Sequence, residues 1–265
     1  MTEQSTTIKK LLYKLILRAG NILRRNLYKS REIIYKAPND IVTEMDKAVE
    51  KIFIQNISRF FPEHDILSEE QASSQASIKP SSKVQYRWII DPLDGTLNYA
   101  HQVPYFSVSV GIEKAGKMFL GAVYNPILKE LFFAQQGKGA WCNNKPIKVS
   151  TEKHLSESLL ATGFPCNPNQ VKQNNFKNFE EISSQAQAVR RAGSAALDLC
   201  NVACGRFDGF WNLQLKPWDV AAGYLIIKEA GGRVTCLDNT RMSIYKGAYI
   251  ASNGHIHKAI QKCLA

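Results

Sequence analysis

The chain has 265 residues, 45% hydrophobic and 22% charged, enough to bury a large core as one big domain or two coupled halves. Its apolar runs fall short of the roughly 20 residues that span a bilayer, and Lys14 and Arg18 break the apolar stretch near the start, so neither a membrane span nor a signal peptide is expected. Net charge is +11, more than half of it in residues 1–36, where nine Lys/Arg stand against Glu3 and Glu32; this reads as a solvated helix face or as a docking surface for nucleic acid or an acidic partner.

Residues 5–28 read as an amphipathic helix, with Ile8, Leu11, Leu12, Leu15, Ile16, Ala19, Ile22 and Leu23 at helical spacing. Residues 30–40 read as a connector that contains Lys36, with turn chemistry at Pro38-Asn39-Asp40. Thr43 is the expected N-cap of a second helix whose buried face is Val49, Ile52, Phe53 and Ile57. Asp46, early in that helix, is by itself a dipole partner. Ile66-Leu67-Ser68 is a short strand that runs into Glu69 and Glu70. Residues 71–83, rich in Ser, Ala and Gln, read as a mobile loop between two carboxylate clusters, where a lid would be useful.

Trp88-Ile89-Ile90 reads as a buried strand that feeds Asp91-Pro92-Leu93-Asp94-Gly95-Thr96. Pro92 holds Asp91 extended and is expected to end the strand there. Gly95 permits a tight turn or a close backbone approach. Two carboxylates crowded at a strand end repel each other unless a cation lies between them, and a hard divalent ion with oxygen ligands, Mg²⁺ above all, suits the position. The N–H groups of Gly95 and Thr96 can face an anion. A metal beside an anion cradle points to phosphate chemistry. Asp-x-x-Asp alone is more often a solvated turn; the buried strand before it sets this one apart.

Residues 106–113, 119–124 and 130–134 predict an antiparallel meander and 137–144 a further hairpin. The two halves are expected to be 1–148 and 149–265. In the second, 158–162 reads as a strand, 169–187 as a helix and 188–191 as extended. Gly193-Ser194-Ala195-Ala196 opens a helix through Ala203 and can present N–H donors. Residues 207–213 read as a strand, 216–229 as a helix stopped by Gly231-Gly232, 248–252 as a strand and 255–263 as a last helix. Asp219, at a helix start beside Trp218, reads as N-cap or as metal ligand. Serine-hydrolase, P-loop and Rossmann fingerprints are absent. Six cysteines without a Cys-x-x-Cys pair suit a reduced, cytoplasmic protein.

Taken together, Glu69-Glu70, Asp91-Pro92-Leu93-Asp94-Gly95-Thr96 and Trp218-Asp219-x-Ala221-x-Gly223 resemble the inositol monophosphatase family in order and spacing, over about residues 36–252. Arg190-Arg191-Ala192-Gly193-Ser194-Ala195-Ala196, with Leu215-Lys216-Pro217-Trp218-Asp219, is most similar to its bacterial branch. The resemblance implies an α+β fold, a layered αβαβα sandwich of the sugar-phosphatase type, usually homodimeric. It implies Mg²⁺-dependent, Li⁺-inhibited hydrolysis of a small polyol phosphate monoester, inositol 1-phosphate first. By that resemblance Glu69, Asp91 and the Leu93 carbonyl hold one Mg²⁺ and Asp91, Asp94 and Asp219 a second, with two or three ions per subunit. Glu69 and the Thr96–Asp46 pair would orient the attacking water. Gly95, Thr96 and Lys36 would face the phosphate, and Asp94, Gly193, Ser194, Ala195 and Asp219 the polyol.

One departure stands out. Seven residues before Asp219 the family commonly carries Glu, whereas this chain has Asn212, which is neutral, shorter, and both donor and acceptor. Inositol preference is thereby weakened; within the same class, fructose 1,6-bisphosphate, histidinol phosphate and nucleotide phosphates are the other expected substrates, since polyol contacts come from loops and a few pocket side chains. A second class of function is docking of the basic N-terminal helix on RNA or the transcription machinery. Asp94→Asn is expected to abolish turnover and leave the fold intact.

Overall fold

The computed structural model describes residues 3–29, 33–37, 40–72, 84–165, 174–238, 240 and 242–264. The helical spacing near the start becomes α1 (Glu3–Asn26), with Ile8, Leu12, Leu15, Ile16, Ala19 and Leu23 buried. Lys10, Lys14, Arg18, Arg24 and Arg25 lie on its other side, away from that core. A short antiparallel ribbon follows, β1 (Ile33–Ala37) with β2 (Asp40–Thr43). Helix α2 (Glu44–Phe60) starts on a capping box: Met45 N–H donates to the Thr43 hydroxyl at 3.2 Å, and Thr43 N–H donates to Asp46 at 2.8 Å. Through Val49, Phe53 and Ile57, α2 shares one apolar core with α1 and one face of a large sheet.

That sheet consists of β3 (Asp65–Ser68), β4 (Tyr86–Asp94), β5 (Ser107–Lys114), β6 (Lys117–Asn125), β7 (Glu130–Gln135), β8 (Gly139–Cys142) and β9 (Lys145–Pro146), in that spatial order. β5 to β7 form the expected antiparallel meander, β8 and β9 continue it, β4 joins it antiparallel to β5, and β3 runs parallel to β4. Side chains alternate along β5. Val108, Val110 and Ile112 join the core under α1 and α2, while Ser107, Ser109 and Gly111 point the other way, towards a helix that follows much later in the chain, α7 (Pro217–Glu229). Gly111 pairs with Gly121 of β6. A Cβ on Gly111 would stand 2.7 Å from Ala221 Cβ, and one on Gly121 would stand 2.9 Å from the Ala222 carbonyl oxygen. Helix α7 therefore lies against bare sheet backbone, in a slot that side chains at these two positions would close.

Helix α6 (Ala195–Ala203) lies beside α7, and both share a core with a second sheet. This sheet orders β11 (Ala188–Arg190), β10 (Leu159–Thr162), β12 (Gly209–Asn212), β14 (Tyr249–Ser252) and β13 (Arg233–Cys236). Helices α5 (Phe176–Gln185) and α8 (His257–Cys263) cover its outer face through Ile182 and Ile260. The layers are the αβαβα sandwich that the motifs imply. Among the described residues no helix is long and apolar enough to cross a membrane.

Several expectations need correction. The connector at 30–40 contains strand β1 and the start of β2, with Ile34 opposite Val42 and Tyr35 opposite Ile41. Strand β4 does not stop at Asp91 but runs on to Asp94. Gln71 and Ala72 belong to a turn of helix, α3 (Glu69–Ala72), and the rest of the expected loop, 73–83, lies outside the described residues. Helix α5 starts later than residue 169, because the Asn175 side chain is taken up by Thr162, Gly163 and Trp211 at 2.7–2.9 Å; residues 169–173 lie outside the described part. Strand β13, between the two glycines and the last strand, has no counterpart in the sequence reading.

The glycine slot gives a stability test. Gly121→Ala should destabilise the protein by about 1–3 kcal/mol in chemical denaturation, because the added methyl meets helix backbone. Gly116→Ala, where nothing lies within 4 Å of the added methyl but φ is +71°, should cost only about 1 kcal/mol, from backbone strain.

Candidate active site

In a regular strand, residues 91 and 94 would project from opposite faces. The chain avoids this with one extra residue. Asp91 pairs with Ser109 and Asp94 with Ser107, so β4 takes three steps where β5 takes two. This is a β-bulge. Pro92 has no N–H to give to the ladder, and Leu93 turns into the core beneath α1 and α2. Both carboxylates then lie on the side of α6 and α7.

Each carboxylate has defined partners. Asp91 accepts the Leu93 N–H at 3.0 Å. Asp94 accepts the Ser107 hydroxyl at 3.2 Å, the Ala195 N–H at 3.1 Å, the Ala196 N–H at 3.0 Å and the Ser194 hydroxyl. The Gly-Ser step does present donors to an anion, and here that anion is Asp94. This bears on the expectation that Asp94→Asn leaves the fold intact. Asn would turn an NH₂ towards a ring of donors and loosen the start of α6. Asp91 and Asp219 are cleaner positions to neutralise.

Asp219 is both a helix-start residue and a member of the cluster. Its Oδ2 accepts the Lys216 N–H at 2.7 Å, and its carboxyl lies close enough to Asp91 to raise the Asp91 pKa. Glu69 opens α3 where β3 ends, close enough to raise the Asp91 pKa. The Thr96 hydroxyl lies between Asp46 Oδ1 at 3.2 Å and the Leu93 carbonyl oxygen at 2.9 Å. Asp46 Oδ2 is occupied by the Thr43 hydroxyl at 2.6 Å and the Thr43 N–H. Gly95, at φ +93°, caps the short α4 (Thr96–Ala100), and a Cβ there would be 3.2 Å from the Gly193 carbonyl oxygen. The Asp91–Thr96 turn and the start of α6 thus meet with no room for a side chain.

Burial dominates the electrostatics. It pushes Asp91 well above the usual carboxylate range, and Glu69, Asp94 and Asp219 push it further. It raises Asp219 to about 7, opposed by the Lys216 N–H and reinforced by Asp94. It raises Asp46 to about 6 against the Thr43 hydroxyl and N–H. Asp94 is raised by burial and held down by its four donors. Among the described residues, no three His, Cys, Asp or Glu side chains are arranged to hold a metal ion as they stand. Asp94 is committed to α6, Asp91 accepts the Leu93 N–H and Asp219 accepts the Lys216 N–H.

Asn212 is buried at the end of β12. Its Oδ1 accepts the Gln214 N–H at 3.0 Å, and a Cβ on Gly163 would lie 2.5 Å from its Nδ2. The Lys36 side chain lies outside the described residues. Sequence reasoning missed Glu50, whose Oε1 accepts the Ser68 hydroxyl and the N–H groups of Glu70 at 3.1 Å and Gln71 at 3.2 Å. Its signal was its spacing, one helical turn after Asp46. It also missed Ser107, whose signal was the alternation of Ser with Val along β5.

Five layers around a buried cluster of aspartates, gathered from a bulged strand and two helix starts, define the class of structure. The model of the inositol monophosphatase family matches residues 4–265, and the chain belongs to that family. It is 43% identical over 226 residues to the inositol-1-monophosphatase of Synechocystis sp., covering 85% of this chain and 77% of that one. It is 38% identical over 255 residues to the Nus factor SuhB of Pasteurella multocida, covering 94% and 93%. Among solved structures, the inositol monophosphatase from Anabaena superposes with a TM-score of 0.86 at 41% identity, covering 98% and 96%. An IMPase/NADP phosphatase complexed with Mg²⁺ and phosphate superposes with a TM-score of 0.85 at 26% identity, covering 98% and 96%. The chain is a phosphoric monoester hydrolase of the inositol-1-monophosphatase type.

The raised acids have a pH consequence. A carboxyl whose folded pKa is raised favours folding while it is protonated. That contribution is complete below the unfolded value near 4 and is lost as pH rises through the folded one. In EDTA, Asp219→Asn should therefore gain stability over the wild type as pH goes from 5 to 8, by roughly 1–3 kcal/mol, read from denaturation curves at each pH. A difference independent of pH would place Asp219 outside the repelling cluster.

Proposed function

We propose that this enzyme hydrolyses a small polyol phosphate monoester with Mg²⁺, inositol 1-phosphate first among its substrates. The observation that carries this reading is the meeting of buried, mutually repelling carboxylates with the Gly95-Thr96 turn. The donor set fits the ion. It is built from oxygens alone, it is buried, and Asp91, Asp94 and Asp219 repel one another in a way that a hard divalent cation would relieve. Glu69, Asp91 and the Leu93 carbonyl would hold one ion, and Asp91, Asp94 and Asp219 another, with a third at Glu69 in some loaded states. When bound, the ions would supply Lewis-acid activation of water and stabilisation of the departing oxygen.

The chain's own groups do the rest. Thr96, fixed between Asp46 and Leu93, orients the attacking water, and Asp46 takes its proton through that hydroxyl. The N–H groups of Gly95 and Thr96 face the phosphate; Lys36, whose side chain lies outside the described residues, is assigned to it by the family resemblance alone. Gly193, Ser194 and Ala195 border the polyol ring, with Asn212 at its far side. The division at 148/149 places Asp219 and the polyol wall in one half and the other carboxylates in the other. A homodimer in the cytoplasm suits the family and the composition.

Phosphate release from a panel of sugar and nucleotide monophosphates, with Mg²⁺ and with or without Li⁺, tests the reading. Preferential turnover of inositol 1-phosphate with Li⁺ inhibition is expected. Faster release from fructose 1,6-bisphosphate, histidinol phosphate or a nucleotide phosphate would move the substrate and keep the site. In the same assay Asn212→Glu should raise kcat/KM for inositol 1-phosphate; no change, or a loss, would remove Asn212 as the specificity determinant.

A second role is compatible with the first. The Nus factor relatives and the basic side of α1 support docking on RNA or transcription machinery. Retention on RNA that falls with rising salt and disappears when Arg24, Arg25 and Lys29 are changed to Gln is the expected result. Binding unaltered by those changes would count against this surface.

A further inference from the structure

The Asp91–Thr96 turn and the Gly193–Ala195 edge lie about a hundred residues apart in the chain and must be brought into register. Beside the Asp94 bonds, the Asn98 side chain is a second join. Its Nδ2 donates to the Tyr105 carbonyl at 2.7 Å and to the Ala192 carbonyl at 2.8 Å. Gly193, at φ +87°, packs against that amide, where a Cβ would come within 2.9 Å of Nδ2. Tyr105 extends the join. Its hydroxyl donates to Asp198 at 2.9 Å and accepts from Asn201 at 3.0 Å, both on α6.

Asn suits this place for a chemical reason. One amide nitrogen carries two N–H groups, and here they meet two carbonyls from two separate segments. Asp, of the same shape, would set an oxygen against both carbonyls. Ala would leave both without this donor. Either change releases the Ala192–Gly193 turn, and with it the Ser194 hydroxyl and the Ala195 and Ala196 N–H groups that bond Asp94.

We propose that Asn98 is a positioning residue. It holds the Gly193–Ala195 edge against Asp94 through the Ala192 carbonyl, and so sets the discrimination between ring polyol phosphates and acyclic ones. The second half of this statement rests on the reading of 193–195 as the polyol wall. The first half does not.

The test compares the full-length wild type with Asn98→Ala, Asn98→Asp and Tyr105→Phe. Amide hydrogen exchange is read over peptides covering 192–197, and kcat and KM are measured on inositol 1-phosphate and glycerol 2-phosphate. In Asn98→Ala, exchange at 193–197 should quicken while α7 and the centre of β5 stay protected. The ratio of kcat/KM for the ring ester to that for the acyclic one should fall about tenfold, mainly through KM for the ring ester. Asn98→Asp should fall at least as far, and Tyr105→Phe should move the same way by less. If the Asn98 variants fail to fold, Tyr105→Phe decides by the same two readouts. Unchanged exchange at 193–197 overturns the positioning role. Quickened exchange with equal loss on both esters overturns the specificity role. If the wild type turns over neither ester, the polyol-wall reading fails, and the exchange result alone decides the positioning claim.

Discussion

Two aspartates three positions apart on a strand belong on opposite faces of the sheet, and one would then be lost to the core beneath α1 and α2. The extra residue at Pro92–Leu93 removes that conflict. It places Asp91 with Ile89 on the α7 side and brings Asp94 round to Ser107 on the same side. The cost is electrostatic: two buried carboxylates now face a third from α7. The surrounding hydrogen bonds answer that cost. Asp94 is covered by donors from β5 and α6, Asp91 accepts the Leu93 N–H, and Asp219 accepts the Lys216 N–H.

The helices that deliver the remaining acids use one device twice. In α2 and in α7 the acidic residue sits three positions beyond the residue that opens the helix, and one carboxylate oxygen accepts that residue's N–H. The bond that starts the helix also fixes the acid's side chain. In α2 the other oxygen is aimed at Thr96; in α7 the carboxyl reaches Asp91. The glycine pair at 111 and 121 then sets how closely α7 approaches the sheet, and so how closely Asp219 approaches the bulge. Stability and chemistry draw here on the same contacts.

Much of this was legible in the sequence because it is local. The period of α1, the Thr43 cap, the meander and the crowded acids at 91–94 all follow from neighbours within a few residues. What was hidden is long-range or ambiguous. Pro92 reads as a strand stop because Pro cannot pair in a ladder, yet a bulge needs no pairing there. The β1–β2 ribbon hid behind the turn chemistry of Pro38-Asn39-Asp40. Glu50, Ser107 and Asn98 look ordinary because their partners lie far along the chain or in another element. Asp94 was legible as a candidate ligand; its commitment to Ser194, Ala195 and Ala196 was not, since nothing near residue 94 encodes residue 194.

Burial and the neighbouring carboxylates favour the protonated form of Asp219, and a divalent cation at the cluster would displace that proton. Calorimetric titration of Mg²⁺ into the wild type and Asp219→Asn at pH 6, in two buffers of different ionisation enthalpy, measures this directly. The wild type should bind Mg²⁺ and release protons, because burial pushes Asp219 up to about 7 in the metal-free protein, and the release should fall in Asp219→Asn. Binding of Mg²⁺ with no proton release, or no binding at millimolar Mg²⁺, would contradict it.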